Sequence, residues 1–171
     1  MGPTVPRLDL GEPDGHVIAR TAGMNPVEIR PLCVADLGEF RRMRRALWPD
    51  CEDHEAVELL ERDSKEYTVL VAVRPNGGLE GFAEVGARPY AEGCSTSPVG
   101  YLEGIWVDAD TRRRGVARCL VDQAMAWSAD RGHREFASDC DIDNRGSRDF
   151  HLALGFEEAE RIICFSRRID P

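Results

Sequence analysis

No run of uninterrupted apolar residues in this chain approaches the roughly eighteen that a membrane-spanning helix needs, which excludes a helical integral membrane protein. The start of the chain also lacks the apolar core of a secretory signal, because Val17-Ile18-Ala19 is far too short to serve as one. The cysteines Cys33, Cys51, Cys94, Cys119, Cys140 and Cys164 form no C-x-x-C pair, and no two lie near histidines at zinc-finger spacing. A structural metal is therefore not expected, and free thiols are expected in place of a disulfide framework. Cys119 and Cys164 fall in apolar stretches and read as small buried side chains. Positive charge is in short supply: 22 Lys and Arg stand against 31 Asp and Glu, a formal net charge of −9. That balance disfavours nucleic acid and anionic membranes as partners and favours cationic ones. Ordinary solubility accounts for the same charge, so a cationic substrate needs independent support. Internal repeats and low-complexity tracts are missing as well.

What is present fits one domain with a modest extension, in a soluble and cytoplasmic protein. The chain has 171 residues, of which 42% are apolar and 31% charged, enough for a buried core. Residues 1–23 are rich in Gly and Pro with little apolar periodicity and read as a flexible extension or leader; Met24 could itself be an initiator. The domain then spans 24–171. Val27 to Arg30 alternates like a short strand closed by Pro31. Asp36 is placed to cap a helix whose Leu37, Phe40, Met43 and Leu47 share one face, and Trp48-Pro49 ends it. A second helix is expected over Glu55 to Asp63, with Val57, Leu59 and Leu60 turned inward. Strands over Tyr67 to Val73 and about Leu79 to Ala87 flank a hairpin turn at Asn76-Gly77-Gly78. A long loop, Arg88 to Pro98, carries Tyr90. Tyr101 to Val107 reads as a buried strand, and a strongly patterned helix runs from Gly115 to Arg131-Gly132. Glu135 to Ser138 reads as a strand, Ser147 to Leu154 as a short helix ended by Gly155, and Ile162 to Phe165 as a closing strand. Strands alternating with helices, with a meander near the start, predict a mixed α/β sheet in one layer with helices on both faces.

The most informative segment is Val107-Asp-Ala-Asp-Thr-Arg-Arg-Arg-Gly115-Val-Ala117. A strand runs into a tight loop, and Gly115 and Ala117 are small where a helix begins. The first-turn amides there lack intrahelical partners, and with the helix dipole they suit a diphosphate. It is neither a P-loop, lacking Gly-Lys-Ser/Thr, nor a G-x-G-x-x-G fingerprint. An exposed arginine cluster over a helix end would read the same way on its own.

The Arg-x-x-Gly-x-Ala pattern between a central strand and an amphipathic helix resembles the acetyl-CoA loop of the GNAT acyltransferase superfamily. Asn144, ahead of a short helix ending Leu154-Gly155-Phe156, resembles that superfamily's second cofactor segment. The blocks Ser97 to Val107, Glu135 to Asp139 with Asp143-Asn144, and the ending Phe165 to Asp170 resemble the bacterial aminoglycoside 6′-N-acetyltransferases. This resemblance covers roughly 24–170. It implies a mostly antiparallel mixed sheet with a splayed central strand pair, acetyl-CoA as co-substrate, no metal, and often a homodimer, to which the closing strand could contribute by joining a partner's sheet.

Carried over position by position, the resemblance places acetyl-CoA along Ile105, Trp106 and Val107, at Arg113, Arg114, Gly115, Val116, Ala117 and Arg118, and at Asn144. It places the aminoglycoside against Trp48, Tyr90, Glu103, Asp139 and Glu160. The chemistry is independently sensible: carboxylates attract a polycation, and aromatic faces suit sugar rings and cations. Glu103 lies in an otherwise apolar strand, where an unpaired charge is costly, so a functional or paired role is expected. Asp139 could merely cap a turn, Glu160 lies in an acidic run that could be a solvated face, and Trp48 and Tyr90 could be packing residues. Many GNAT enzymes have a tyrosine, the acid that protonates the leaving thiolate, where this chain has His151. An imidazolium could donate that proton, and a surface or satisfied core histidine is the other reading. The implied reaction is direct transfer in a ternary complex. Backbone amides near Trp106-Val107 would stabilise the oxyanion, and Glu103 or Asp139 would accept the amine proton. Two other readings are acetylation of polyamines or protein amines, and a non-catalytic module that binds CoA or aminoglycosides.

Overall fold

The computed structural model describes residues 17–19 and 27–169. The rest of the expected extension, and Met24 at the expected start of the domain, lie outside the described residues. Among the described residues, six strands form one sheet in sequential order: β1 (Val17–Ala19), β2 (Val27–Pro31), β3 (Tyr67–Val73), β4 (Leu79–Arg88), β5 (Val99–Val107) and β6 (Phe136–Ser138). Neighbours from β1 to β5 are antiparallel, and β6 lies parallel to β5. β1 pairs with β2, so part of the segment read as an extension is an edge strand.

Among the described residues, four α-helices cover the sheet: α1 (Leu37–Leu47), α2 (Glu55–Glu61), α3 (Val116–Asp130) and α4 (Arg145–Ala153). Directly paired strand residues share a face. On one face Tyr67, Val69, Val71 and Phe82 meet Phe40 and Met43 of α1 and Ala56 of α2. On the other, Leu70, Ala72, Ala83, Val85 and Leu102 meet Val116, Leu120, Val121 and Ala124 of α3, with Phe150 of α4 packed beside them. The single-layer arrangement with helices on both faces is the one the alternation of elements predicts.

Several local readings change. Asp36 stands at the N-cap of α1 as expected, but its side chain makes no capping bond: the carboxylate takes the Arg30 guanidinium at 2.6 and 2.9 Å and the Cys33 amide at 3.0 Å. The nearby guanidinium is the stronger partner, and its hydrogen bonds hold Asp36 at about 2, below the ordinary 3.8. In α2 it is Ala56 that is buried, while Val57 is exposed, because a helix this short turns only one narrow stripe inward. α4 begins two residues earlier than expected because Asn144 Oδ1 accepts the Ser147 amide at 3.0 Å and so defines the N-cap. The closing strand does not form: residues 156–169 carry no regular structure, and Ile163, Cys164 and Phe165 are exposed. The adjoining edge strand β6 is only three residues long and gives another strand few rungs to pair with.

Candidate active site

Two features of β5 create the site. Its register against β4 shifts between Glu84 and Val85: Glu84 pairs with Gly104 and Val85 with Leu102, leaving Glu103 as the extra residue of a β-bulge. The bulge turns Glu103 onto the α1 face beside Gly86, toward which Glu103 Oε1 points. On its other side β5 pairs with β6 only through Gly100, Tyr101 and Leu102. Among the described residues, Glu103 to Val107 has no strand alongside it there, so an open backbone edge begins at the bulge. This is the splay that the resemblance implies.

That edge leads into the turn before α3. Gly115 is the N-cap at φ 80°, a left-handed conformation that glycine adopts without a Cβ penalty, and among the described residues no side chain caps the helix. Among the described residues, the amides opening this fifteen-residue helix therefore have no capping group. Arg113 is also left-handed, at φ 64°. The turn is pinned from below. Asp108 receives Arg42 at 3.0 and 2.8 Å, Arg74 at 2.9 Å and the Trp106 indole at 3.1 Å. Burial pushes its carboxyl up, but the Arg42, Trp106 and Arg74 hydrogen bonds prevail and hold it at about 2. Arg112 Nε donates to the Val107 carbonyl at 2.9 Å. Arg118 donates to the Ala153 carbonyl at 2.9 Å and ties α3 to α4. Val116 and Val107 put their side chains into the core, so only their backbones are available to a ligand. Asn144, the other expected cofactor residue, has its side-chain oxygen committed to the α4 cap. Among the described residues no group of three or more His, Cys, Asp or Glu could hold a metal ion.

On the α1 face, Trp48 closes α1 and lies over Gly104, where a Cβ would run into its ring. Arg44 sits 5.1 Å from that ring, and Trp48 lines a cleft of about 400 Å³ with Arg44, Asp50 and Glu55. Glu103 is paired: Arg88 Nε reaches Oε1 at 3.0 Å and its Nη2 bonds Oε2. The same guanidinium stacks 3.5 Å from the Tyr101 ring. Tyr101 is buried, and its hydroxyl is pushed up first by burial and then by the charge of the Asp139 carboxylate. Asp139 itself is exposed just beyond β6. Thus Trp48, Glu103 and Asp139 gather along one side of β5.

Tyr90 and Glu160 are placed differently. Tyr90 is exposed on the loop over residues 89–98, and Glu160 on the irregular tail. Ala159 of the tail presses on Gly93, so the two segments meet. The loop is held to the sheet by Glu135, which accepts the amides of Ser95 at 2.9 Å and Thr96 at 2.6 Å. His151 lies on α4, on the α3 face, hydrogen-bonded to Ser147 and Ser138.

Sequence reasoning missed Arg88, Tyr101 and a buried cluster beneath Trp48. In that cluster Glu84 accepts Arg44 Nε at 2.6 Å and the Tyr67 hydroxyl at 2.5 Å, and Arg44 also reaches Glu55 at 2.8 Å. Burial pushes the Glu84 carboxyl up against the pull of Tyr67 and Arg44. The sign that singles out Glu103, an ionisable residue in an apolar strand, was equally present at Glu84.

A strand with one open edge, running into an uncapped helix start, defines an acyltransferase of the GNAT type. The sequence pattern of the Acetyltransferase (GNAT) family matches residues 37–156, and the chain belongs to that family. It is 42% identical to the aminoglycoside N(6′)-acetyltransferase type 1 of Klebsiella aerogenes over 144 residues, 81% of this chain and 95% of the relative. Among solved structures it is similar to AAC(6′)-Iy in complex with a bisubstrate analogue, CoA-S-monomethyl-acetylneamine. The TM-score is 0.78 at 37% identity, covering 84% of this chain and 99% of the other. It is likewise similar to the aminoglycoside 6′-N-acetyltransferase AAC(6′)-Ih from Acinetobacter baumannii, with a TM-score of 0.79 at 36% identity over 84% and 99% of the two chains.

Proposed function

We propose that this chain is an acetyl-CoA-dependent aminoglycoside 6′-N-acetyltransferase. The observation that carries the proposal is the bulge at Glu103. It opens a backbone edge toward α3 and, at the same position, turns a carboxylate toward Trp48 and the α1 face. The relatives' names, and the bisubstrate complex of one of them, support the choice of substrates.

When bound, acetyl-CoA supplies an activated thioester. Its pantetheine arm would follow the backbone of Ile105, Trp106 and Val107, and its diphosphate would meet the amides of Gly115, Val116, Ala117 and Arg118. Arg113 and Arg114 add positive charge there. Asn144 has its amide nitrogen left for the cofactor. Trp48 and Tyr90 offer aromatic faces to the sugar rings, and Glu103, Asp139 and Glu160 offer carboxylates to its ammonium groups. A substrate ammonium that reaches Glu103 must compete with Arg88, so Glu103 exchanges one cation for another. Asp139, exposed, is the less encumbered acceptor for the amine proton. His151 stands where the thiolate's proton donor is expected. Backbone amides near Trp106-Val107 would stabilise the oxyanion.

The test is release of CoA thiol by the purified protein with acetyl-CoA and kanamycin or tobramycin, with the acetylated nitrogen located by NMR. Acetyl at the 6′-amine is expected. Failure across a panel of 6′-amino aminoglycosides, or faster turnover of spermidine and basic peptides, would replace this reading with acetylation of other amines. Binding of both ligands without product would favour a non-catalytic module. We also infer a homodimer in the cytoplasm. Support for the dimer comes from the exposed Ile162, Ile163 and Phe165 of the tail, apolar side chains that a second copy would cover. Sedimentation of the full chain beside a variant ending at 160 tests it: the full chain should sediment as a dimer and the shortened one as a monomer.

A further inference from the structure

His151 is held in one orientation by two aromatic rings, Phe150 at 5.3 Å and Phe156 at 5.2 Å between centroids, both edge-on. Its Nδ1 lies 2.7 Å from the Ser147 carbonyl. A carbonyl only accepts, so Nδ1 carries a hydrogen whether the ring is neutral or charged. Nε2 lies 3.0 Å from Ser138 Oγ, and Ser138 Oγ lies 3.1 Å from the Leu102 carbonyl. A hydroxyl has one hydrogen to give. With a neutral ring, Ser138 donates to Nε2. With an imidazolium, Nε2–H donates to Ser138, and Ser138 donates onward, which at rest means to Leu102.

The place where this relay ends is significant. Leu102 is the last β5 residue paired with β6, and the open edge starts at the next residue. The Ser138 hydroxyl thus stands between His151 and the mouth of the splay.

We propose that Ser138 is the terminal proton donor to the leaving group, with His151 as the reservoir behind it. This rests on the acyl-transfer reading above. As the thioester C–S bond breaks and its electron pair stays with sulfur, Ser138 Oγ gives its hydrogen to the thiolate. Nε2–H of the imidazolium replaces that hydrogen, leaving His151 as the neutral Nδ1–H tautomer. One proton passes from ring to sulfur and nothing is oxidised or reduced; solvent reprotonates the ring.

Two measurements on wild type, Ser138→Ala and Ser138→Thr test this. The first is the histidine ring ¹⁵N spectrum without substrates, at a pH where the ring is neutral. The Nε2 resonance of His151 should move downfield in the alanine variant, which takes away its donor, and stay in place in the threonine variant. The second is turnover of acetyl-CoA with kanamycin. Loss of the hydroxyl should lower kcat about a hundredfold, the low end for a positioned acid, with KM for both substrates nearly unchanged and threonine restoring the rate. An Nε2 resonance unmoved in Ser138→Ala overturns the hydrogen-bond relay whatever the activity. A moved resonance with an undiminished kcat overturns the donor role. A resonance that moves in Ser138→Ala, beside a wild type that transfers acetyl to no amine, brings down the acyl-transfer reading, and the donor role with it.

Discussion

At the scale of single residues, the site depends on a few ionised groups whose partners come from distant parts of the chain. Asp108 is the clearest. Its folded value of about 2 lies below the ordinary 3.8, so its contribution is fully present above about pH 4 and is lost as the pH falls toward 2. The difference corresponds to about 2 kcal/mol. Asp108→Asn should therefore lower unfolding free energy by about that amount at neutral pH, and the gap to wild type should close in urea titrations near pH 2. Gly104 answers to a different constraint. A Cβ there would collide with the Trp48 ring, so Gly104→Ala should cost about 1–3 kcal/mol by overpacking and weaken acceptor binding, because Trp48 must move. Thermal unfolding and the KM for kanamycin check both halves. The sequence shows that Glu103 is costly in an apolar strand, but not that Arg88 satisfies it. Arg88 stands fifteen positions away, and only the β4–β5 pairing brings the two together. The same is true of Tyr101 and Asp139, neighbours only across the β5–β6 seam.

At the scale of elements, legibility follows the strength of the local pattern. β3, β4 and α3 were readable because their periodicity and turn residues agree. The Gly115 start was readable because packing alone seldom calls for two small residues at a helix opening. Gly115→Ala should cost about 1 kcal/mol, since the residue sits at φ 80°, and should raise the KM for acetyl-CoA far more than that for the aminoglycoside. What the sequence could not show is the bulge. One extra residue in β5 leaves no compositional trace, yet it decides which way Glu103 points and where the open edge begins. The loop over residues 89–98 was equally opaque, because its shape is set by Glu135, outside it. Hydrogen bonds from the amides and hydroxyls of Ser95 and Thr96 hold Glu135 below the ordinary carboxylate range, Thr96 contributing most. Glu135→Ala should free the loop and raise the KM for the acceptor several-fold while leaving acetyl-CoA binding unchanged, measurable by steady-state kinetics and calorimetry. The expected closing strand failed for the opposite reason: Ile162 to Phe165 has strand composition, and a strand needs an edge that three-residue β6 scarcely provides.

At the scale of the whole molecule, the net charge of −9 can serve two ends, solubility and attraction of a cationic substrate, and composition cannot choose between them. Their physical consequences differ. Solubility needs only magnitude, whereas steering needs a field that reaches a polycation before it docks. At low ionic strength the Debye length is about 30 Å, comparable to the molecule, and near 0.15 M it is about 8 Å. Steering by the whole surface should therefore fade across that range, while short-range pairing with Glu103 and Asp139 should persist. Under the proposed function, kcat/KM for tobramycin, whose amines are largely protonated, should fall about tenfold or more as salt rises from about 10 to about 150 mM. The loss should appear almost wholly in KM, since chemistry after docking does not depend on the distant field. A singly charged amine should show a much shallower slope. If tobramycin and the monoamine respond equally to salt, the acidic surface serves solubility alone, and selection of the cation rests on the few carboxylates around the bulge.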